Sequence, residues 1–325
     1  AAASPYWDAE DYRAGYGAAA NSLILNRNEL SFTATPTRVG QPLQIVWDRP
    51  EFARGWRIEN STRTVRANSN EFIDAGQRPG QKVMNVTGQL IAGAAAENTS
   101  IALLEPANYF VEQFQQSLSS YGIASAKGQV SINNPPNGLT ELAAIQSPPL
   151  RAFIDPTNLY SVNIYAEAML KALGRSVEPA TLDAYQSGAA AVSTLLTDLG
   201  VAPNSISIVD GSGLSRRDLA TPEAFVDTLQ MMATTPNAAI YRNSLAVAGR
   251  SGTLSNRMKG TNAEARFQGK TGTLSGTYSL SGYLNPPSHP PLALSIMING
   301  TNASGSDIRS LIDQIVIHAA NLNDC

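Results

Sequence analysis

A chain of 325 residues is longer than one average domain and sets an expectation of two. A composition of 43% hydrophobic and 15% charged residues is that of a globular protein able to bury a sizeable core. The formal net charge of −3 argues against a nucleic-acid partner, because a phosphate-tracking protein carries a basic excess.

No apolar run approaches the roughly 20 residues needed to cross a bilayer. The chain opens Ala1-Ala2-Ala3-Ser4-Pro5-Tyr6, with neither a basic flank nor an apolar stretch. The expectation is a leader removed in processing, or a protein never exported. Residues 28–134 then read mostly as short strands. Segments 29–34, 43–47, 83–91 and 100–104 are rich in branched and aromatic residues, with Gly, Pro and Asn clusters between them. One helix interrupts: Pro106 suits its first turn, Phe110, Phe114, Leu118 and Tyr121 repeat at helical spacing, and Gly122 offers a stop. The stretch Asn133-Asn134-Pro135-Pro136-Asn137-Gly138 is the clearest boundary. Beyond it the pattern predicts helices at 159–173, 180–199, 221–234 and 307–321. The last is capped by Ser306 and presents Ile308, Leu311, Ile312, Ile315 and Ala319 on one face. Segments 269–276, 278–284 and 293–299 read as consecutive strands of one antiparallel sheet.

Exclusions narrow the chemistry. The single cysteine, Cys325, rules out an intrachain disulfide framework. The two histidines are His289, in a proline-rich loop, and His318, near the end of the last helix. Neither has a metal-ligand companion at a sensible spacing, so no metal is expected, and neither position invites a Ser-His-Asp triad. A hydrolase built on this chain would use a lysine base, and there are five lysines: Lys82, Lys127, Lys171, Lys259 and Lys270.

Lys270 stands in the most specific short motif, Gln268-Gly269-Lys270-Thr271-Gly272-Thr273-Leu274. K-T-G alone is equally a strand edge with a solvated lysine. Here, however, lysine is scarce, glycines flank it closely, and an apolar strand pattern follows. Glycine lets the backbone approach a ligand, and a lysine on such an edge can hold a carboxylate by charge-assisted hydrogen bonds. Thr271 can add a hydroxyl, and the Thr273 amide can face a developing oxyanion. The second candidate is Ser161-Val162-Asn163, in isolation an ordinary loop or helix-start pair. With K-T-G about a hundred residues later, the two are the second and third motifs of the serine β-lactamases and penicillin-binding proteins.

Further segments extend the likeness. Asp210-Gly211-Ser212-Gly213-Leu214-Ser215-Arg216, Ala246-Val247-Ala248-Gly249-Arg250-Ser251-Gly252-Thr253-Leu254 and Tyr278-Ser279-Leu280-Ser281-Gly282-Tyr283 surround the two motifs. Tyr6-Trp7-Asp8 and Asn21-Ser22-Leu23-Ile24-Leu25-Asn26 stand near the start. Together they resemble the low-molecular-mass penicillin-binding D-alanyl-D-alanine carboxypeptidases and endopeptidases that carry a large insert. The resemblance implies a mixed α/β fold: a serine β-lactamase/transpeptidase-like domain at 138–325, an antiparallel sheet with helices, N-terminally incomplete, preceded by a β-rich insert at 1–137. It implies export to the periplasm or cell envelope, peptidoglycan stem peptides and β-lactams as partners, and no cofactor. Carried over by residue, Ser161 joins a proton relay, and Asn163 holds the substrate amide and orients the active-site lysine. Lys270 and Thr271 bind the terminal carboxylate, Gly272 keeps the cleft wall low, and the Thr273 amide supplies half of the oxyanion hole. Asp8 matches an acidic insert residue facing the peptide side chain, against the plainer reading of a solvated loop aspartate.

The family's first motif, S-x-x-K, supplies the attacking serine and its lysine, and it is missing here. The residues three before each lysine are Pro79, Ala124, Ala168, Asn256 and Phe267. Ser125-Ala126-Lys127 is one residue short and precedes an expected strand, whereas the i, i+3 spacing of a helix is what brings lysine to the serine oxygen. The chain reads as beginning inside the insert, so truncation is expected in place of point mutation, and activity by this chain alone is not expected. Three readings follow: a fragment of an active serine D,D-peptidase, a non-catalytic peptidoglycan-binding protein, or a two-piece enzyme completed by another polypeptide. An unrelated serine esterase lacks its G-x-S-x-G elbow.

Overall fold

The structure is a computed structural model that describes residues 4–131, 138–181 and 183–323. The chain divides into two compact units, Ala1–Ile145 and Gln146–Cys325. Residues 133–137 of the expected boundary and Cys325 lie outside the described residues.

The first unit holds β1 (Glu29–Thr35), β2 (Gln44–Trp47), β3 (Arg57–Val65), β4 (Phe72–Gln77), β5 (Val83–Ile91), β6 (Glu97–Ala102) and α1 (Pro106–Ser120). They form two three-stranded sheets, β2-β1-β6 and β3-β5-β4, the second with β3 parallel to β5. Leu30, Phe32 and Ala34 alternate inward along β1 and pack with Met84, Val86, Leu90 and Ile101, the period-2 burial of a one-sided sheet. β3 and β4 were not foreseen, and β3 shows why. Its fully buried side chains are Thr62 and Thr64, whose hydroxyls accept from the Leu43 amide at 3.0 Å and the Thr37 amide at 2.9 Å. A strand whose inner face is filled by hydrogen-bonded threonines carries no apolar signal. In α1 Pro106 does occupy the first turn and Gly122 does turn left-handed at φ +73°. The expected aromatic stripe is not buried, however: Phe114 and Tyr121 are exposed, and Pro106 and Tyr109 face inward. Residues 128–131 form no strand, against the expectation after Lys127.

The second unit begins with α2 (Arg151–Tyr160), α3 (Asn163–Val177) and α4 (Ala184–Asp198). The two-residue strands β7 (Ile206–Ser207) and β8 (Leu219–Ala220), α5 (Pro222–Thr234), α6 (Ala238–Ser244) and β9 (Ala246–Val247) follow. It ends with β10 (Phe267–Leu274), β11 (Thr277–Leu284), β12 (Leu292–Asn299) and α7 (Gly305–Ala319). The main sheet runs β12-β11-β10-β9, antiparallel throughout. One face of this sheet, with Phe267, Leu280 and Leu284, packs on Ile308, Ile312 and Val316 of α7. On the other, Tyr283 packs with Leu229 of α5 and Leu245. Its hydroxyl donates to the Leu229 carbonyl at 2.7 Å. Because side chains alternate along a strand, Phe267 facing α7 puts Gln268, Lys270 and Gly272 on the opposite face.

Two expected boundaries shift. The helix expected at 159–173 is two helices broken at Ser161-Val162, because Ser161 is left-handed at φ 57° and ends α2. α7 is capped by Ser304, not Ser306: the Ser304 hydroxyl accepts from the Asp307 amide at 3.2 Å. Leu311 and Ile315, expected inward, are exposed. α5 starts as an N-capped helix should, with Pro222 in its first turn and the Thr221 hydroxyl accepting from the Ala224 amide at 3.1 Å. Thr221→Ala is therefore expected to destabilise the unit by about 1 kcal/mol, read as a lower urea midpoint at unchanged slope.

Candidate active site

The sequence brings Ser161 and Lys270 together from 109 residues apart: the Lys270 Nζ donates to the Ser161 Oγ at 2.5 Å and to the Thr271 carbonyl at 2.7 Å. Ser161 reaches this point through a strained turn. A non-glycine residue in the left-handed region costs about 1 kcal/mol or more and persists only where its surroundings fix it. Here Phe153 of α2 and Tyr165 of α3 pack edge to face across the break, ring centroids 5.5 Å apart. The Asn158 side-chain amide donates to the buried Ser244 hydroxyl at 2.7 Å, pinning the last turn of α2 to α6. Asn163 opens α3, two residues past Ser161, so chain connectivity keeps both at the same corner.

The sheet edge is held from both sides. The Arg242 guanidinium lies over the Tyr283 ring at 5.2 Å and its Nε donates to the Gln268 Oε1 at 2.7 Å, fixing the strand two residues before Lys270. The Thr271 hydroxyl donates to Thr253 Oγ1 at 3.0 Å, in the short 3-10 turn Gly252–Leu254. Gly272 faces β11, where a Cβ would meet Ser279 Oγ at 2.3 Å, and Thr273 is exposed near the strand end. Burial draws the Lys270 ammonium down from 10.5 to about 8, since a cation loses hydration there. At neutral pH it is still charged, and its two contacts are neutral oxygens, an arrangement that leaves it able to receive an anion.

Six expected site residues, Ser161, Asn163, Lys270, Thr271, Gly272 and Thr273, thus lie in the second unit on α3, the break before it and β10. Asp8 lies in the first unit, exposed, its amide donating to Asp11 Oδ2 at 3.3 Å. The supporting pairs Asn158–Ser244 and Arg242–Gln268 escaped the sequence analysis, being polar residues with no motif around them. Among the described residues no group of three or more His, Cys, Asp or Glu is placed to hold a metal. No described helix is long and apolar enough to cross a membrane.

Comparison with known proteins adds the following. The profile of the D-Ala-D-Ala carboxypeptidase 3 (S13) family matches residues 1–322. The chain is 32% identical over 329 residues to a D-alanyl-D-alanine carboxypeptidase of Actinomadura sp. (strain R39), covering 97% of this chain and 60% of that protein. It is 28% identical to a penicillin-sensitive carboxypeptidase A of Dictyostelium discoideum, covering 96% of this chain and 61% of that protein. The chain therefore spans about three fifths of the length of these relatives. Its fold is that of Haemophilus influenzae penicillin binding protein 4, with a TM-score of 0.76 at 20% identity over 97% of this chain and 72% of that one. Against a β-lactam complex of the same protein the TM-score is 0.71 at 23% identity, over 93% of this chain and 70% of that one.

Proposed function

The chain belongs to the D-Ala-D-Ala carboxypeptidase 3 (S13) family, and from that membership we propose that it carries two walls of a serine D-Ala-D-Ala carboxypeptidase or endopeptidase site. The substrates are peptidoglycan stem peptides, the reaction an acyl transfer to serine followed by hydrolysis, and β-lactams acylate the same serine. The site of action is the periplasm or cell envelope. The observation that supports this is the hydrogen bond from Lys270 Nζ to Ser161 Oγ at 2.5 Å.

Each residue's part follows from its chemistry. Lys270, charged below about pH 8, offers its ammonium to the terminal carboxylate of the D-alanine, with the Thr271 hydroxyl beside it. The Ser161 hydroxyl both accepts from Lys270 and carries a proton of its own, so it passes a proton toward the departing D-alanine amine. The Asn163 amide holds the peptide amide, and the Thr273 N–H donates to the oxyanion that forms as serine attacks. Gly272 keeps the strand low where the peptide lies. The attacking serine and its lysine come from outside these residues, because no serine in the chain stands three before a lysine.

Fluorescent penicillin followed by intact-mass measurement tests this. The expected result is no covalent adduct on the chain itself, and a single adduct once the family's serine–lysine segment is joined to it. An adduct mapped to a serine of these 325 residues would show a different nucleophile. No adduct in either preparation would replace the enzyme with a non-catalytic peptidoglycan-binding protein.

A further inference from the structure

A glutamate that the motifs do not include sits directly behind the site. Glu167 is 0% exposed and lies four residues after Asn163, one turn further along the same face of α3. A buried carboxylate is costly unless hydrogen bonds satisfy it. Glu167 Oε1 accepts from the backbone amides of Gly211, at 3.1 Å, and Ser212, at 2.8 Å. These residues belong to the loop between β7 and β8, whose backbone rests on the helix backbone: a Cβ on Gly211 would lie 2.4 Å from the Ala166 carbonyl oxygen.

The loop is a braced object, not a loose connection. Asp210 accepts from the Gly213 amide at 2.6 Å and the Ser215 amide at 2.8 Å, and Asp218 accepts from the Val209 amide at 2.7 Å. At its far end Arg216 donates through Nη1 and Nη2 to the Ser275 carbonyl, each at 3.3 Å. Ser275 stands in the turn between β10 and β11, two residues after Thr273. The loop therefore runs from the helix that begins at Asn163 to the exit of the strand that carries Lys270.

We infer that Glu167 is a positioning residue: by clamping the Asp210–Arg216 loop onto α3, it sets the distance between the Asn163 wall and the Lys270 wall of the cleft. This deepens the proposed function and rests on it. Glu167 acts through the loop and touches no substrate. Its charge is part of the clamp, since an ionised carboxylate accepts two amides more strongly than a protonated one. Burial, with Asp210 beside it, raises its carboxyl to about 7. The groups facing it are Asp210 and Ser212 from the loop, Tyr185 from α4 and Lys171 on its own helix. The clamp is tight above about pH 7 and weakens as pH falls through that value.

The test is the second-order rate of penicillin acylation from pH 5.5 to 8.5, in the chain joined to its serine–lysine segment. Glu167→Ala is expected to lower the rate by about 100-fold, the scale of a small misplacement distant from the chemistry. Glu167→Gln keeps an acceptor for both amides. Lacking the charge, it is expected to keep across the whole range the lowered rate expected of wild type at low pH, and so to lose the fall in rate near pH 7, a readout a purely structural role does not move. Asp218→Asn is the control, since burial also raises Asp218 to about 7. Should Glu167→Ala fail to fold, the Gln profile decides. Wild-type rates in a folded Glu167→Ala, a Gln profile matching wild type, or an inflection removed only by Asp218→Asn would each overturn the inference. A wild type that does not acylate at all removes the proposed function and this inference with it, whereas the other failures remove this inference alone.

Discussion

Replacing Lys270 with methionine is expected to make the protein more stable at neutral pH and to disable its site. The stability half follows from the depressed ammonium. In the folded chain Lys270 loses its proton near pH 8, and in the unfolded chain near its ordinary value of 10.5. Between those values the unfolded state binds more protons, so stability rises with pH across that window. Below about pH 8 both states are protonated, and the full cost of holding a poorly hydrated cation is present. That cost is on the order of 3 kcal/mol. Methionine has a similar length and no charge, so Lys270→Met removes the cost and the hydrogen bonds to Ser161 and Thr271 together. Those bonds are worth about 1–2 kcal/mol in total, so the desolvation term wins by a narrow margin. The melting temperature at pH 7 should rise by a few degrees, and the rise that wild type shows between pH 8 and 10.5 should vanish. Acylation by penicillin, in the chain joined to its serine–lysine segment, should fall by about 100- to 1,000-fold, the scale of one lost electrostatic contact in such a site. A lower melting temperature at pH 7 would mean that the hydrogen bonds outweigh desolvation. A cation kept at a site at a cost in stability is what function, and not packing, requires.

The parts of this fold that the sequence makes legible are those whose energetics are apolar. β10, β11 and β12 show themselves because one face of their sheet needs Phe267, Leu280 and Leu284 against α7. α5 and α7 appear through their periodicity, although the α7 cap stands at Ser304 and not at the expected Ser306. The pairing of Ser161 with Lys270 was reached by a resemblance, since nothing in spacing relates two polar residues that meet across 109 positions. Polar economies are what stayed hidden. β3 fills its inner face with threonines bonded to neighbouring backbone, and the break at Ser161 is a left-handed turn at a residue that pattern reading continues as helix. Glu167 is the instructive miss. It stands three residues after Ile164 and three before Leu170, both buried, and so falls inside the apolar stripe of α3. A glutamate in such a stripe must find hydrogen bonds in the interior, and the glycine-containing Asp210-Gly211-Ser212-Gly213 loop supplies them. That signal lies in the sequence, but no motif contains it.

Gly252→Ala is expected to be far more damaging than Gly272→Ala, although both glycines look crowded. A Cβ on Gly272 would lie 2.3 Å from Ser279 Oγ, but the next atom is at 3.6 Å, so one rotation of the serine hydroxyl relieves it. Its cost should stay within about 1 kcal/mol. Gly252 has no such escape. A Cβ there would lie 2.5 Å from the Leu159 carbonyl oxygen and 3.0 Å from the Ala246 Cβ, and the residue sits in the left-handed region at φ +56°. The turn it begins is anchored by Leu254, which is 0% exposed in the core, and Ala246 is 0% exposed as well. The strain therefore passes to the last turn of α2, two residues before Ser161. Left-handed strain of about 1 kcal/mol and overpacking of about 1–3 kcal/mol together predict a loss of roughly 2–4 kcal/mol. Urea unfolding of the chain measures this without the nucleophile, and a double variant Gly272→Ala with Ser279→Ala should recover the smaller loss. Equal urea midpoints for the two single variants would show that the backbone at Leu159 yields easily. Ser161 would then owe its place beside Lys270 to the Asn158–Ser244 contact and not to the turn at Gly252.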